Sequence, residues 1–269
     1  MIRLSTQDKT FFSSNYTEKL EQIRALGFDG FEADGRMLLN DMEALREAVK
    51  ATGVPVTSVC GGYQGWIGDF DEERRNNGIL EISEILRGCA EIGAAGIVVP
   101  AAWGMYSLRL PPLVRKRSVE EDERVLLDSL TRLDKVCGET GTHVFLEPLN
   151  RYEDYMLNHL SDGIELIEKG NLQHVQLTAD FYHMSIEEPS IADSLRQAGS
   201  RVGHIHIGDT DRYQPGHAHM DFVDGFKALK EIGYEGTFAF EHRILGEDER
   251  ELYKNSVLYI RDCMRKAGI

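Results

Sequence analysis

Eight short apolar or β-branched runs alternate along the chain with eight longer segments of helical periodicity, and this alternation constrains the fold more than any other feature. A helical segment separates each strand-like run from the next, which is the order expected for parallel strands joined by helices. The predicted strands are Ile2–Thr6, Gly30–Ala33, Pro55–Cys60, Gly96–Pro100, His143–Glu147, Val175–Asp180, Gly203–Ile207 and Thr237–Glu241. The predicted helices are Thr17–Leu26, Met42–Ala51, Ile79–Ile92, Glu121–Cys137, Gly163–Glu168, Ile191–Ala198, Phe222–Ile232 and Asp248–Lys266.

Eight strand–helix units predict an α/β protein whose parallel strands close into a (β/α)₈ barrel, the TIM barrel. The competing arrangement is an open, doubly wound sheet, but no G-x-G-x-x-G motif follows the first strand. The chain has 269 residues, a length that one such barrel commonly uses, and no linker rich in Gly, Ser or Pro divides it. We therefore predict a single barrel domain over residues 1–269.

The composition narrows the class of partner. Asp and Glu number 45 against 30 Lys and Arg, and the net charge of −15 argues against a nucleic-acid partner, which needs a basic surface. A small neutral or carbonyl substrate fits this charge better. No apolar run approaches the ~20 residues of a membrane span, and the N-terminus lacks a secretory signal pattern. The chain has four scattered cysteines and no C-x-x-C pair: Cys60, Cys89, Cys137 and Cys263. This pattern indicates reduced thiols, so we expect a cytoplasmic protein.

Strands five to eight alternate between an apolar face and a polar face, and each polar face ends in an ionisable residue at the C-terminal rim, where barrel enzymes hold their active sites. Three carboxylates and an imidazole at one depth would repel one another or remain unpaired without a cation. A divalent metal removes this conflict, and the mixed oxygen and nitrogen donors suit Mn²⁺, with Mg²⁺ or Co²⁺ as alternatives. The residues are Glu147, Asp180, His206 and Glu241.

Four segments of the C-terminal half carry a family resemblance. They are E-P-L-N-R-Y-E from Glu147, D-F-Y-H-M-S-I-E-E from Asp180, H-I-H-I-G-D-T-D-R from His204 and F-E-H-R from Phe240. The chain resembles the xylose-isomerase-like barrel superfamily of sugar isomerases, epimerases and apurinic endonucleases. Within it, the chain is most similar to the ketose 3-epimerases of the D-tagatose/D-psicose 3-epimerase type. Over the N-terminal half the similarity is architectural only.

The resemblance implies specific roles for residues of this chain. It implies four metal ligands: Glu147, Asp180, His206 and Glu241. Glu147 and Glu241 also match the two carboxylates that remove and return a proton through a metal-stabilised enediolate. Three further residues match groups that contact the substrate: Glu153, His183 and Arg212. The expected activity is a metal-dependent 3-epimerisation of an unphosphorylated ketose, and we expect a homo-oligomer, either a dimer or a tetramer.

Other functions stay open at this point. An aldose–ketose, hydroxypyruvate or inosose isomerase or dehydratase would use the same metal and carboxylates. An apurinic endonuclease-like nuclease is a remote alternative: His219 and Asp221 could add ligands, but no histidine lies between Met1 and Thr142. A non-catalytic binding module would have no use for two carboxylates beside one metal. The loops after strands three and four match no family pattern, although Tyr63, Trp66 and Trp103 could line the distal part of the substrate site.

Overall fold

The structure is a computed structural model that describes residues 3–104 and 115–269. Its eight strands form a closed barrel in sequence order, and every neighbouring pair is parallel, including β1 with β8. The predicted TIM barrel is therefore confirmed. The strands are β1 Arg3–Thr6, β2 Gly30–Ala33, β3 Val56–Cys60, β4 Gly96–Pro100, β5 His143–Glu147, β6 Val175–Asp180, β7 Val202–Ile207 and β8 Thr237–Phe240. The predicted start of the first strand, Ile2, lies outside the described residues.

Helices follow the strands around the outside of the barrel. They are α1 Tyr16–Ala25, α2 Gly35–Thr52, α3 Glu72–Ile92, α4 Val119–Thr140, α5 Leu160–Lys169, α6 Phe181–Glu187, α7 Ile191–Ala198, α8 Phe222–Glu231 and α9 Glu249–Ala267. In the part of the chain that the structure describes, none of these helices has the length and hydrophobicity that a membrane span requires.

Two helices begin seven residues before their predicted starts at Met42 and Ile79. Asp34 caps α2 by accepting a hydrogen bond from the backbone of Arg36, and Asp71 caps α3 in the same way. The first two turns of α3 are largely charged or amide residues, so the apolar periodicity that reveals a helix starts only at Ile79. The short helix α6 was not predicted, because it follows β6 without an intervening loop.

The main core lies between the strands and the surrounding helices. Leu146 and Leu177 are fully buried there, and a Cβ added to Gly163 of α5 would lie 2.5 Å from Leu177 Cδ2. Phe226 of α8 stacks on Phe238 of β8 with 4.8 Å between ring centroids. The apolar face of each strand is therefore turned toward the helices, which leaves the other face for the barrel interior.

Strand register places the rim residues at similar depth. Asp180 of β6 pairs with His206 of β7, and His206 pairs with Ala239 of β8. Glu147 is the last residue of β5. Glu241 lies one residue beyond β8, and its backbone N–H donates to the carbonyl oxygen of Ile207 in β7. Four strands thus deliver their terminal side chains to one end of the barrel.

Candidate active site

The ends of β5 to β8 bring the four predicted metal ligands together. Donor atoms of these residues all lie within 4.8 Å of one another: Glu147, Asp180, His206 and Glu241. The Nδ1 atom of His206 lies 3.1 Å from Glu147 Oε1 and 2.7 Å from Glu241 Oε2. Asp180 Oδ2 lies 3.8 Å from the same nitrogen. We call this group the rim cluster.

Asp180 has two roles in this arrangement. Its Oδ1 atom accepts hydrogen bonds from the backbone N–H groups of Tyr182 and His183, at 2.7 and 3.2 Å, and so caps α6. Its Oδ2 atom is turned to the rim cluster. The same carboxylate therefore starts a helix with one oxygen and offers the other as a ligand atom.

The electrostatics of the cluster push the pKa values of its members apart. Burial raises the pKa of Glu147, and the hydrogen bond from His206 opposes this only in part. Burial acts in the same direction on Glu241, but the charges of Arg212 and His206 outweigh it and hold the pKa of Glu241 well below its usual value. For His206, burial would lower the pKa, but Glu241 and Glu32 outweigh it and raise that pKa well above normal. The two glutamates thus differ in their affinity for a proton, as acid/base pairs do.

The donor set of the rim cluster fits a divalent metal ion. Three carboxylates and one imidazole are oxygen and nitrogen donors of the kind that bind Mn²⁺, Mg²⁺ or Co²⁺. Glu241 Oε2 is buried and close to His206 and Arg212, yet neither contact has hydrogen-bond geometry. A carboxylate oxygen in that position has a lone pair to offer a cation.

Arg212 reaches the rim cluster from the loop after β7. Its Nη1 atom lies 2.6 Å from Asp180 Oδ2, and its Nη2 atom lies 2.8 Å from Glu241 Oε2. The guanidinium also covers the ring of Tyr182, 4.8 Å from the ring centroid. The structure therefore places this predicted substrate-contacting residue directly against two of the predicted metal ligands.

The backbone of Arg212 is in the left-handed region with φ 64°, which is uncommon for a residue other than glycine. Asp209, which is 1% exposed, ties this loop together because its carboxylate accepts four backbone hydrogen bonds of 2.8–3.1 Å. The donors are Thr210, Gly216, Ala218 and Met220. Asp209 therefore acts on Arg212 through the loop backbone.

His183 and Glu153 are joined by Asn150, a fully buried residue of the E-P-L-N-R-Y-E segment to which the sequence analysis gave no role of its own. Nδ1 of His183 accepts from the backbone and the side chain of Asn150, at 3.1 and 2.8 Å, which leaves Nε2 as the donor atom of a neutral ring. That Nε2 lies 3.8 Å from Asp180 Oδ2. Glu153 accepts from Asn150 at 2.9 Å and from the indole N–H of Trp103 at 2.8 Å.

A cavity of about 410 Å³ lies beside Glu147 and Glu241. The three aromatic residues expected near the substrate line it, with ring centroids 5.5 Å apart for Tyr63 and Trp66 and 6.1 Å apart for Trp66 and Trp103. A second cavity of about 650 Å³ adjoins it. The two share four lining residues: Trp103, Glu153, Arg212 and Glu241.

One buried acid of the site was not identified by the sequence analysis. Glu32 of β2 points into the barrel, where its carboxylate lies 2.9 Å from His206 Nε2 and 2.7 Å from His204 Nε2. Burial would raise the pKa of Glu32, but the two histidines outweigh it and hold that pKa below its usual value. The period-2 alternation of G-F-E-A could have revealed Glu32, since it puts Phe31 and Glu32 on opposite faces.

The additional ligands of the nuclease alternative lie elsewhere. Asp221 caps α8 by accepting from the backbone of Asp224 at 3.2 Å, and His219 Nδ1 lies 3.2 Å from Thr210 Oγ1. Neither residue belongs to the rim cluster, so the larger ligand set that this alternative needs is not assembled among residues 3–104 and 115–269.

The chain is similar to several known epimerases. A 3-dehydro-D-guloside 4-epimerase of Escherichia coli (strain K12) is 48% identical over 262 residues, which cover 97% of this chain and 100% of that protein. A D-psicose 3-epimerase of Enterocloster bolteae is 27% identical over 235 residues, covering 85% and 77% of the two chains. The crystal structure of 3-keto-D-glucoside 4-epimerase from E. coli, in its apo form, has a TM-score of 0.96 at 48% identity and covers 98% of this chain and 100% of that chain.

These relatives confirm the expected enzyme class, an isomerase or epimerase. The sequence model of the xylose isomerase-like TIM barrel family matches residues 20–263, which is most of the chain. The protein therefore belongs to the xylose isomerase-like TIM barrel family.

Proposed function

We propose that this protein is a metal-dependent epimerase that inverts the carbon next to the keto group of a sugar. The observation that carries the proposal is the convergence of Glu147 and Glu241 on one imidazole, His206, within a largely buried cluster of carboxylate and imidazole donors. Inverting such a carbon requires that a weakly acidic proton leave from one face and return to the other. Two carboxylates at one site provide an acceptor and a donor for that proton.

The two glutamates hold the proton before and after transfer. Each carboxylate has two oxygens, so one oxygen can act as a ligand atom of the rim cluster while the other oxygen faces the substrate carbon. A divalent ion bound to the cluster would act as a Lewis acid toward the keto oxygen and fix the position of the substrate. We favour Mn²⁺ because the donors combine carboxylates with an imidazole, with Mg²⁺ and Co²⁺ as alternatives.

The neighbouring residues bind and orient the substrate. Arg212 supplies a fixed positive charge and His183 an N–H donor, and both can stabilise negative charge that develops on the keto oxygen. Glu153 can accept hydrogen bonds from substrate hydroxyl groups, since it is held by Asn150 and Trp103 at the boundary of the two cavities.

For the substrate we propose a keto-glycoside whose C4 is inverted. The E. coli relative that spans nearly the whole chain at 48% identity is a 3-dehydro-D-guloside 4-epimerase. The two adjoining cavities offer room for a sugar ring and for the group attached to it. Inversion at C3 of a free ketose, the activity expected from the sequence, is the second candidate, supported by the D-psicose 3-epimerase at 27% identity. A homo-oligomeric enzyme of the cytoplasm remains our prediction from the sequence.

The test is proton exchange in deuterated water. The Mn²⁺-loaded protein is incubated separately with a methyl 3-keto-glucoside and with a set of free ketoses, and the products are followed by NMR. We expect deuterium at C4 of the keto-glycoside together with its epimer. Exchange at C3 of a ketose supports the second candidate, while formation of an aldose or loss of water indicates the isomerase or dehydratase alternatives.

Glu147→Gln and Glu241→Gln should each lower the exchange rate by at least the ~10²–10⁴-fold typical of one acid/base group. Glu165→Gln is the matched control, because Glu165 is a largely exposed carboxylate on α5. Near-normal exchange in both site variants would rule out the proposed proton transfer.

A further inference from the structure

Glu32 connects two histidines of the barrel interior. It lies on β2 and its partners lie on β7, and β1 and β8 separate these strands in the closed sheet. Oε1 of Glu32 is 2.9 Å from His206 Nε2, and Oε2 is 2.7 Å from His204 Nε2. The side chains of Glu32 and His206 have no exposed area.

Polar neighbours complete the environment of this carboxylate. Gln7 donates to Oε1 at 3.1 Å, and Ser58 donates to Oε2 at 2.6 Å. A buried carboxylate is costly unless its oxygens are hydrogen-bonded, and here both oxygens have donors from other strands. The position and direction of the Glu32 carboxylate are therefore fixed by the barrel.

The fixed carboxylate determines which nitrogen of the His206 ring carries a proton. An ionised carboxylate only accepts hydrogen bonds, so it binds the N–H form of His206 Nε2. A metal ion can bind Nδ1 only once that nitrogen has lost its proton, and in the resulting neutral ring Nδ1 carries the lone pair. That atom is the one that faces Glu147 and Glu241, at 3.1 and 2.7 Å.

We propose that Glu32 is a positioning residue for the metal centre: it holds His206 so that Nδ1 serves as a ligand while Nε2 donates to Glu32. The inference rests on the proposed metal centre. Histidine ligands commonly donate their second N–H to a carboxylate, which orients the ring and raises its basicity, and loss of such a partner lowers metal affinity about 10–100-fold.

A different reading of the same residues is a second metal site formed by Glu32, His204 and His206, whose donor atoms also lie close together. The short contacts of Glu32 with both histidines and the two further hydrogen-bond donors argue against it, since these already occupy the carboxylate. Metal stoichiometry separates the two readings: our proposal requires one ion per chain, and two tightly bound ions per chain would overturn it.

The direct test is the dissociation constant for Mn²⁺, measured from the free-ion EPR signal, in wild type and in Glu32→Gln. We expect the constant to rise about 10–100-fold in the variant. The control is Thr178→Val, which removes a buried hydrogen bond to Phe145 inside the same barrel without contacting His206. Its dissociation constant should stay within about threefold of wild type. An unchanged constant in folded Glu32→Gln protein would refute the proposal.

Two further measurements cover the case in which Glu32→Gln does not fold. Glu32→Asp keeps the charge but shortens the reach toward His206, so it should also weaken Mn²⁺ binding by more than threefold. Wild-type protein with ¹⁵N-labelled histidines and Mg²⁺ needs no variant: its ring spectrum should show His206 protonated on Nε2, and a proton on Nδ1 instead would overturn the proposal.

If wild type binds no metal at all, the proposed function fails together with this inference. If wild type binds metal but the affinity is the same in the variants, only the inference fails.

Discussion

Replacing Arg212 with alanine should destabilise the metal-free protein far more than the metal-loaded protein. In the structure, this guanidinium is the positive partner of two carboxylates, Asp180 at 2.6 Å and Glu241 at 2.8 Å. Removing one partner of a buried ion pair costs about 3–5 kcal/mol. Because the Arg212 side chain is 24% exposed, we take the lower end, ~3 kcal/mol.

This free energy converts into a thermal shift. For a chain of this size, 1 kcal/mol moves the melting temperature by roughly 2–4 °C, so the metal-free variant should melt roughly 6–12 °C below wild type. With saturating Mn²⁺ the difference should shrink, because a divalent ion between the carboxylates replaces the lost positive charge. Differential scanning fluorimetry with and without chelator measures both values.

Activity should fall even when the metal is saturating. Loss of one positioned charge-stabilising donor costs ~2–4 kcal/mol in kcat/KM, or roughly 30- to 900-fold. Arg196→Ala is the control, since Arg196 also contacts two carboxylates, Asp193 and Glu231, but at the surface, where such pairs contribute about 0–1 kcal/mol. Equal melting shifts with and without metal, or full activity of Arg212→Ala, would refute this reasoning.

Two more predictions concern buried aspartates. Asp209→Asn should lower kcat/KM while Mn²⁺ affinity stays within a few-fold. The two carboxylate oxygens of Asp209 accept four backbone N–H groups, whereas an amide has a single accepting oxygen. Unchanged kinetics would show that the loop does not need this carboxylate. Burial raises the pKa of Asp154 to about 6. The protonated form is therefore favoured in the folded state, and its stabilising effect, complete below the unfolded pKa of about 4, is lost as pH rises through 6. Asp154→Asn should thus gain in melting temperature relative to wild type between pH 4 and pH 7, and a pH-independent difference would contradict the assignment.

The rim cluster could be predicted because it follows from strand periodicity alone. The polar face of each of the last four strands ends in a ligand-type residue, and parallel strands of a barrel end at one rim. The same logic applied to β2 would have revealed Glu32, but a single acid in a four-residue strand gives a weak periodic signal. Its partners on β7 become visible only once the barrel is closed.

The contacts of Arg212 could not be predicted for a different reason. The sequence placed it near the substrate, but its position against Asp180 and Glu241 depends on a left-handed backbone and on a loop held by Asp209. Such a conformation is set by the tertiary contacts of the loop and not by local propensity. Helix starts were missed for other reasons. In α2 the backbone of Asp41 is non-helical (φ −130°, ψ 23°) directly before the predicted start at Met42. The capped first turns of α3 carry too few apolar residues to show a period.

The polar interior below the rim has a consequence for how such an enzyme can diverge. TIM barrels usually fill this space with bulky branched side chains, whereas here the carboxylate of Glu32 accepts hydrogen bonds from Gln7 and Ser58 and lies against His204 and His206. Each such hydrogen bond contributes only about 1 kcal/mol net, against ~1.5–3 kcal/mol for a buried aliphatic side chain. Most of the free energy that keeps the barrel closed therefore comes from the layer between strands and helices. The aromatic residues that line the substrate cavities, Trp66 and Trp103, lie outside that layer, so new substrate preferences can arise in this scaffold without loss of the fold.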